Sequence, residues 1–321
     1  MKIWYFETSA VNYLMDIMSA HDAVETKKIQ LLKGRDWCIS PVTLLEILQT
    51  SDPERRREIV EFAQCLFSSE LLASPEETII HYINQGFPSE EKRVRLSSQS
   101  LLADVWRDTS TNYKEINVDV EQLKNRNKIL KSFTKMIHQV INGKDNIIIP
   151  TSENESFNYS LEAWLNSLEF IKNDSPYTQE LRTIFKLSIV YLILLICCHV
   201  GPGQEITNRL WEKIGIDKTK CRINYALSNW EPLIYKGPLS TLAKMAYSQS
   251  LVRFSRGVYN DSLHAMYLNY TDLIFSDDGH FKDLQNALAG TPYFSRVQIM
   301  SEIPFKKESH RGEFKSNMVI T

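Results

Sequence analysis

Four acidic side chains stand where chain geometry could bring them to one metal ion. Glu7 follows the apolar run Ile3-Trp4-Tyr5-Phe6 and starts the loop Glu7-Thr8-Ser9. Glu46 lies in Pro41-Val42-Thr43-Leu44-Leu45-Glu46, a helix start that follows the short apolar run Trp37-Cys38-Ile39-Ser40. Asp261 opens the helical stretch Asn260-Asp261-Ser262-Leu263-His264-Ala265. Further on, Thr271-Asp272-Leu273-Ile274-Phe275 reads as a strand ending in Ser276-Asp277-Asp278-Gly279-His280-Phe281. Strand ends and helix starts border the same loop layer in an open α/β sheet, so carboxylates placed there can converge on a hard cation. Carboxylates around divalent ions activate a water and neutralise charge on a phosphodiester during in-line displacement. Metal-dependent phosphodiester hydrolysis is the chemistry this layout suggests.

The elements that must position these acids look α/β at the two ends of the chain and all-α between. Ile3–Phe6 reads as a buried strand, residues 10–33 carry one helical pattern, and 37–40 form a second strand. From Asp52-Pro53 onward the pattern predicts helices near 53–72, 76–85, 97–108, 114–142, 157–172, 178–200 and 204–215, separated by breakers such as Gly86-Phe87-Pro88, Ser175-Pro176 and Gly201-Pro202-Gly203. Ile147-Ile148-Ile149 is the one β-like run in this zone. Gly237-Pro238-Leu239-Ser240 reads as a boundary with Ser240 as helix cap, followed by a helix to about 256, the Asp261 helix, a strand at 272–276 and a last strand at 295–300. The expected organisation is an α/β unit in two parts, 1–51 and 240–302, split by a helical insertion at 52–239. A basic tail, 303–321, follows.

Composition narrows the class without choosing it. At 321 residues and 43% hydrophobic content the chain can bury a sizeable core. Lys and Arg number 37 against 39 Asp and Glu, so any nucleic-acid binding must use local patches, not an overall field. Five cysteines without CxxC spacing argue against a zinc site or a disulfide framework. The apolar run Leu187–Val200 is too short to span a bilayer and reads as a buried core helix, so no membrane is expected. The opening residues lack a basic and apolar leader, which makes the cytoplasm the expected compartment.

With the acids in place, the chain resembles the PIN-domain nucleases, the VapC-type toxins in particular. Those proteins open on a strand ending in Asp-Thr-Ser or Asp-Thr-Asn. They continue with a motif like Ile-Ser-x-Val-Thr-x-x-Glu-Leu, then Asp-x-x-His/Ile-Ala, then Thr-x-Asp-x-x-Phe at a strand end. Here the corresponding residues are Glu7-Thr8-Ser9, Ile39 to Ile47, Asp261 to Ala265, and Ser276 to Phe281, in the same order and on the same kinds of element. The resemblance spans about 1–50 and 240–302 and says nothing of the insertion. It implies a mainly parallel PIN-like sheet flanked by helices. It also implies Mg²⁺ or Mn²⁺ held by Glu46, Asp261 and Asp278, with Glu7 in the first acidic slot. Ser9 and Ser276 would orient the carboxylates. The family almost always has Asp where this chain has Glu7. The extra methylene moves the carboxylate by roughly 1.5 Å, enough to shift the ion, favour Mn²⁺ or abolish turnover.

Each residue also has a plainer reading. Glu7 could cap the helix that follows, Asp261 could be an ordinary first-turn charge, and Asp278 could be a turn former before Gly279. Asp277 is either a fifth ligand or a solvated loop residue. His264 reads as a satisfied core histidine sooner than a catalytic one. His280, Arg253 and Arg256 are the candidate substrate contacts. Lys124, Arg126, Lys128, Lys131 and Lys135 read as a solvated helix face before a nucleic-acid stripe. The basic tail with Lys306, Lys307, His310, Arg311 and Lys315 is a candidate contact for RNA or a partner.

The leading expectation is a metal-dependent endoribonuclease, a toxin or defence effector in its setting, with RNA as substrate. A protein partner such as an antitoxin, or a second copy of the chain, would meet the insertion. The alternatives are a non-catalytic PIN-like interaction protein acting through its insertion, and a structure-selective DNA nuclease. All the nuclease readings require the four acids to meet at one edge of the sheet.

Overall fold

The computed structural model describes residues 1–84, 96–107, 133–150, 156–169, 171, 178–235, 237–252 and 258–303. Its centre is a four-stranded, wholly parallel sheet in the order β2-β1-β5-β6, built from β1 (Lys2–Phe6), β2 (Arg35–Cys38), β5 (Leu273–Ser276) and β6 (Val297–Ile299). A second sheet is the antiparallel hairpin of β3 (Asn146–Pro150) and β4 (Ser156–Ser160). The helices are α1 (Thr8–Ile17), α2 (Ala20–Leu32), α3 (Pro41–Leu48), α4 (Pro53–Leu66), α5 (Pro75–Asn84) and α6 (Leu101–Arg107). Beyond a helical stretch at 133–141 come α7 (Leu161–Ser167), α8 (Gln179–Leu192), α9 (Gln204–Ile214) and α10 (Thr219–Asn229). The last four are α11 (Glu231–Tyr235), α12 (Pro238–Val252), α13 (Val258–Ala265) and α14 (Gly279–Ala287).

β1 is apolar on consecutive residues because both faces of a parallel sheet are covered. Side chains alternate between faces, and the core divides accordingly. Trp4 and Phe6 join Phe275 and residues of α1, α3 and α4 in one hydrophobic cluster. Ile3, Tyr5 and Ile274 join the other, which runs without interruption into Leu187, Trp211, Trp230 and Leu242. The helices between the two halves of the sheet thus pack directly on one of its faces.

Their centre is α8, buried from Thr183 to Leu192 and continued by a buried π-helical turn, Ile193–Cys197. The apolar run is therefore a core helix. No helix among the described residues is long and apolar enough to cross a membrane. Leu192 is fully enclosed, so Leu192→Ala is expected to cost about 2–5 kcal/mol of unfolding free energy. A urea midpoint close to that of the native chain would show that this helix is not the packing centre.

Several boundaries differ from those the pattern predicts, each for a local reason. Residues 10–33 form two helices because Ser19 and Asp22 make a reciprocal capping box that starts a new one. The weak run at 147–149 is a real strand. Its partner Ser156–Ser160 occupies the start of the expected 157–172 helix, which begins instead at Leu161 behind the Ser160 cap. Ser240 is not a cap, since α12 already starts at Pro238, whose ring suits a first turn. Of the expected basic stripe, Lys135 is described and exposed. Lys124, Arg126, Lys128, Lys131 and the basic tail lie outside the described residues.

Candidate functional site

β1 and β5 are neighbours running in the same direction, so the loops after Phe6 and Ser276 leave the sheet side by side. Glu7 N donates to Phe275 O at 3.1 Å. The Ser9 hydroxyl links the two loops further: it donates to the Glu7 carboxylate, stands 3.5 Å from Ser276 Oγ and accepts from Asp277 N at 2.7 Å. Ser276 Oγ in turn accepts from Asp278 N at 3.0 Å.

Two of the acids also cap helices. Glu7 is extended and buried, and its carboxylate accepts from Ser9 N at 2.8 Å and Ala10 N at 3.1 Å, starting α1. Asp278 Oδ1 accepts from His280 N at 2.8 Å, starting α14. The plainer reading of Glu7 therefore holds as geometry, Asp278 caps a helix where a turn was expected, and neither role removes these acids from the edge where the loops meet. Asp277 turns away, its Oδ1 accepting from Ser301 N at 2.9 Å, which ties the loop to the end of β6.

Glu46 and Asp261 arrive from helices. Ser40 caps α3, accepting from Thr43 N at 3.3 Å, with Pro41 in the first turn, and this swings Glu46 over the edge beyond β2. Glu46 Oε2 accepts from the Thr8 hydroxyl and, at 3.0 Å, from His264 Nε2. Asp261 lies one turn before His264 on α13 and accepts at Oδ2 from Gln249 Nε2 of α12 at 2.8 Å.

The charges of these groups are coupled. Burial, then the charge of Asp278, push the Asp261 carboxyl up to about 7, with Glu46 adding and His264 opposing. Burial likewise raises Glu7, against His264 and the Ser9 hydrogen bonds. Burial would also raise Glu46, but the His264 charge and the hydrogen bonds from His264, Thr8 and Asn260 hold it below the usual range. Burial is the largest influence on His264 and lowers its pKa, yet Glu46, Glu7 and Asp261 together outweigh it and raise the pKa. Glu7, Glu46, Asp261 and Asp278 thus form one electrostatically connected group beside the buried His264.

His264 does more at this edge than its place in the sequence suggests. It is a satisfied core histidine, as expected, but what satisfies it is Glu46 on one side and the Tyr5 hydroxyl on the other. Tyr5 also meets Ser40 Oγ at 2.9 Å and Thr43 Oγ1 at 3.0 Å, so one network joins β1, the start of α3 and α13. The available signal was the spacing of Asp261 and His264, one helical turn apart, together with polar Ser40 and Thr43 in an apolar run. His280 is half-buried, with Nδ1 enclosed and lacking a hydrogen-bond partner. Arg253 and Arg256 lie outside the described residues.

As the side chains stand, no group of three His, Cys, Asp or Glu among the described residues closes on a point that could hold a metal ion. No protein-family model, characterised protein or solved structure matches the chain.

Proposed function

We propose that the chain is a PIN-like, metal-dependent endoribonuclease, with Glu46, Asp261 and Asp278 as its principal metal carboxylates and Glu7 in the first acidic position. The observation that carries this reading is the connected carboxylate group at one edge of a parallel sheet, with the Asp261 carboxyl driven to about 7. The donor chemistry fits a hard divalent cation, which takes oxygen ligands. A carboxylate oxygen offers two acceptor directions, so the capping bonds of Glu7 and Asp278 do not by themselves bar ligation. Ligation does require these side chains to move closer than they now stand.

Bound Mg²⁺ or Mn²⁺ would supply charge neutralisation at the phosphodiester and acidify a water. The chain's own groups do the rest. Thr8 and His264 hold Glu46, Ser9 and Ser276 order the two loops, and Asp261 gives up its proton as positive charge arrives. Purified protein incubated with mixed RNA and DNA in Mg²⁺, Mn²⁺ or EDTA tests the reading. Cleavage of RNA that stops in EDTA supports it, cleavage of DNA alone moves the assignment to a DNA nuclease, and cleavage in EDTA excludes the metal site. The same proposal places a protein partner, antitoxin-like or a second copy of the chain, on the helical insertion.

One observation favours the non-catalytic alternative. The Glu7 carboxylate is already committed to the start of α1 through three hydrogen bonds. Glu7→Asp separates the two readings, because Asp is among the best helix caps and should leave the melting temperature within a few degrees. In a nuclease detuned by the longer side chain, Mg²⁺-supported cleavage should rise about tenfold, the effect of roughly 1.4 kcal/mol. If calorimetry finds no divalent-ion binding by either form, the interaction protein is the correct reading.

A further inference from the structure

Gln249 is fully buried on α12, the helix that packs against both α8 of the insertion and α13 of the site. A buried amide needs partners for both of its ends, since leaving one unpaired forfeits the hydration it had in the unfolded chain. The Nε2 end has one, donating to Asp261 Oδ2 at 2.8 Å. The Oε1 end is enclosed and has none. An acceptor left open beside a carboxylate of the acidic group is matched by a donor, and a water carried by a cation is such a donor. An insertion residue also comes close to Asp261. Tyr191 of α8 is fully buried, and its hydroxyl lies near enough for the Asp261 charge to act on it.

We infer that Gln249 is a positioning residue of the acidic site: its Nε2 fixes the Asp261 carboxyl, and its Oε1 accepts from a water that enters with the divalent ion. The inference rests on the nuclease reading for the ion itself, and goes beyond it in giving the insertion's packing partner α12 a part in holding that ion. Asp261 would then be presented by a helix anchored in the insertion, so the two parts of the chain would share the site.

The test compares Mn²⁺ affinity by titration calorimetry for the native chain, Gln249→Leu, Asp261→Asn and the double variant, with circular dichroism to verify folding. Gln249→Leu should weaken Mn²⁺ binding at least tenfold. In the Asp261→Asn background the same substitution should weaken binding by a clearly smaller factor, since the charged carboxyl it would position is gone and the water contact alone remains. Gln249→Met, closer in volume, replaces the leucine variant if that one does not fold. Unchanged affinity in a folded Gln249 variant, or an equal loss with and without Asp261, would overturn the positioning role and leave the metal site standing. Absence of Mn²⁺ binding by the native chain would overturn both.

Discussion

Asp261→Asn and Asp278→Asn are each expected to lower Mg²⁺-supported RNA cleavage by about 10³-fold, the scale of losing a charged group that acts on the transition state. Asp261→Asn should at the same time stabilise the metal-free protein. Burial and Asp278 raise the Asp261 carboxyl from 3.8 to about 7 in the folded chain. Between those pH values the folded state holds a proton that the unfolded state has lost. Stability therefore falls as pH rises from about 4 to about 7, and the whole penalty is present above that. At pH 8 the penalty is on the order of 2–4 kcal/mol, taking about 1.4 kcal/mol per pH unit and allowing for the partial exposure of this side chain. Asparagine carries no charge to desolvate and still accepts from Gln249. The melting temperature in EDTA at pH 8 should rise by several degrees, at about 2 °C per kcal/mol for a chain of this size, and the gain should vanish near pH 4. Cleavage that survives both substitutions would remove these acids from the chemistry. A melting temperature in EDTA that Asp261→Asn leaves unmoved at pH 8 would show that the carboxyls do not strain one another.

The central sheet was legible because its strands are short, apolar on consecutive residues and bounded by chemically distinctive loops. Ile3–Phe6 and Leu273–Ser276 need no distant information to read as buried parallel strands. The acids at their ends were legible for the same reason, since a carboxylate directly after such a strand is at the sheet's edge by construction. What the sequence hid is how these acids are held. Nothing local tells that Glu46 will meet His264, 218 positions later, or that Tyr5 will carry the contact between Ser40, Thr43 and His264. Gln249, likewise, is one polar residue on a helix whose fully buried surroundings appear only once α8 is packed against it. The second strand of the hairpin is hidden for a different reason. Ser156–Ser160 is polar at alternate positions and short, so its strand character comes from pairing with Asn146–Pro150 and not from its own composition.

His264→Leu should be the most destabilising substitution at the site, and its rescue separates packing from chemistry. The imidazole is enclosed, with Nε2 on Glu46 and Nδ1 on the Tyr5 hydroxyl. Removing one member of a buried charged pair leaves the other desolvated and uncompensated, at a cost of about 3–5 kcal/mol. Tyr5 keeps Ser40 and Thr43, so the loss should come mainly through Glu46, which retains the Thr8 hydroxyl but no facing positive charge. A fall in melting temperature on the order of 6–10 °C is expected at pH 6. Because Glu46 raises the His264 pKa, the imidazolium contributes its full stability below about 6.5, and that contribution is lost as pH rises through the folded value. The cost of His264→Leu should therefore shrink at high pH. Adding Glu46→Leu to His264→Leu removes the stranded charge, and apolar replacement of both partners is often close to neutral. The double variant should regain most of the lost stability yet remain inactive, since the carboxylate that would bind the ion is absent. If His264→Leu melts within 2 °C of the native chain, the Glu46–His264 pair does not organise this edge of the sheet. If the double variant cleaves RNA, Glu46 is not a metal ligand, and the assignment contracts to Asp261 and Asp278.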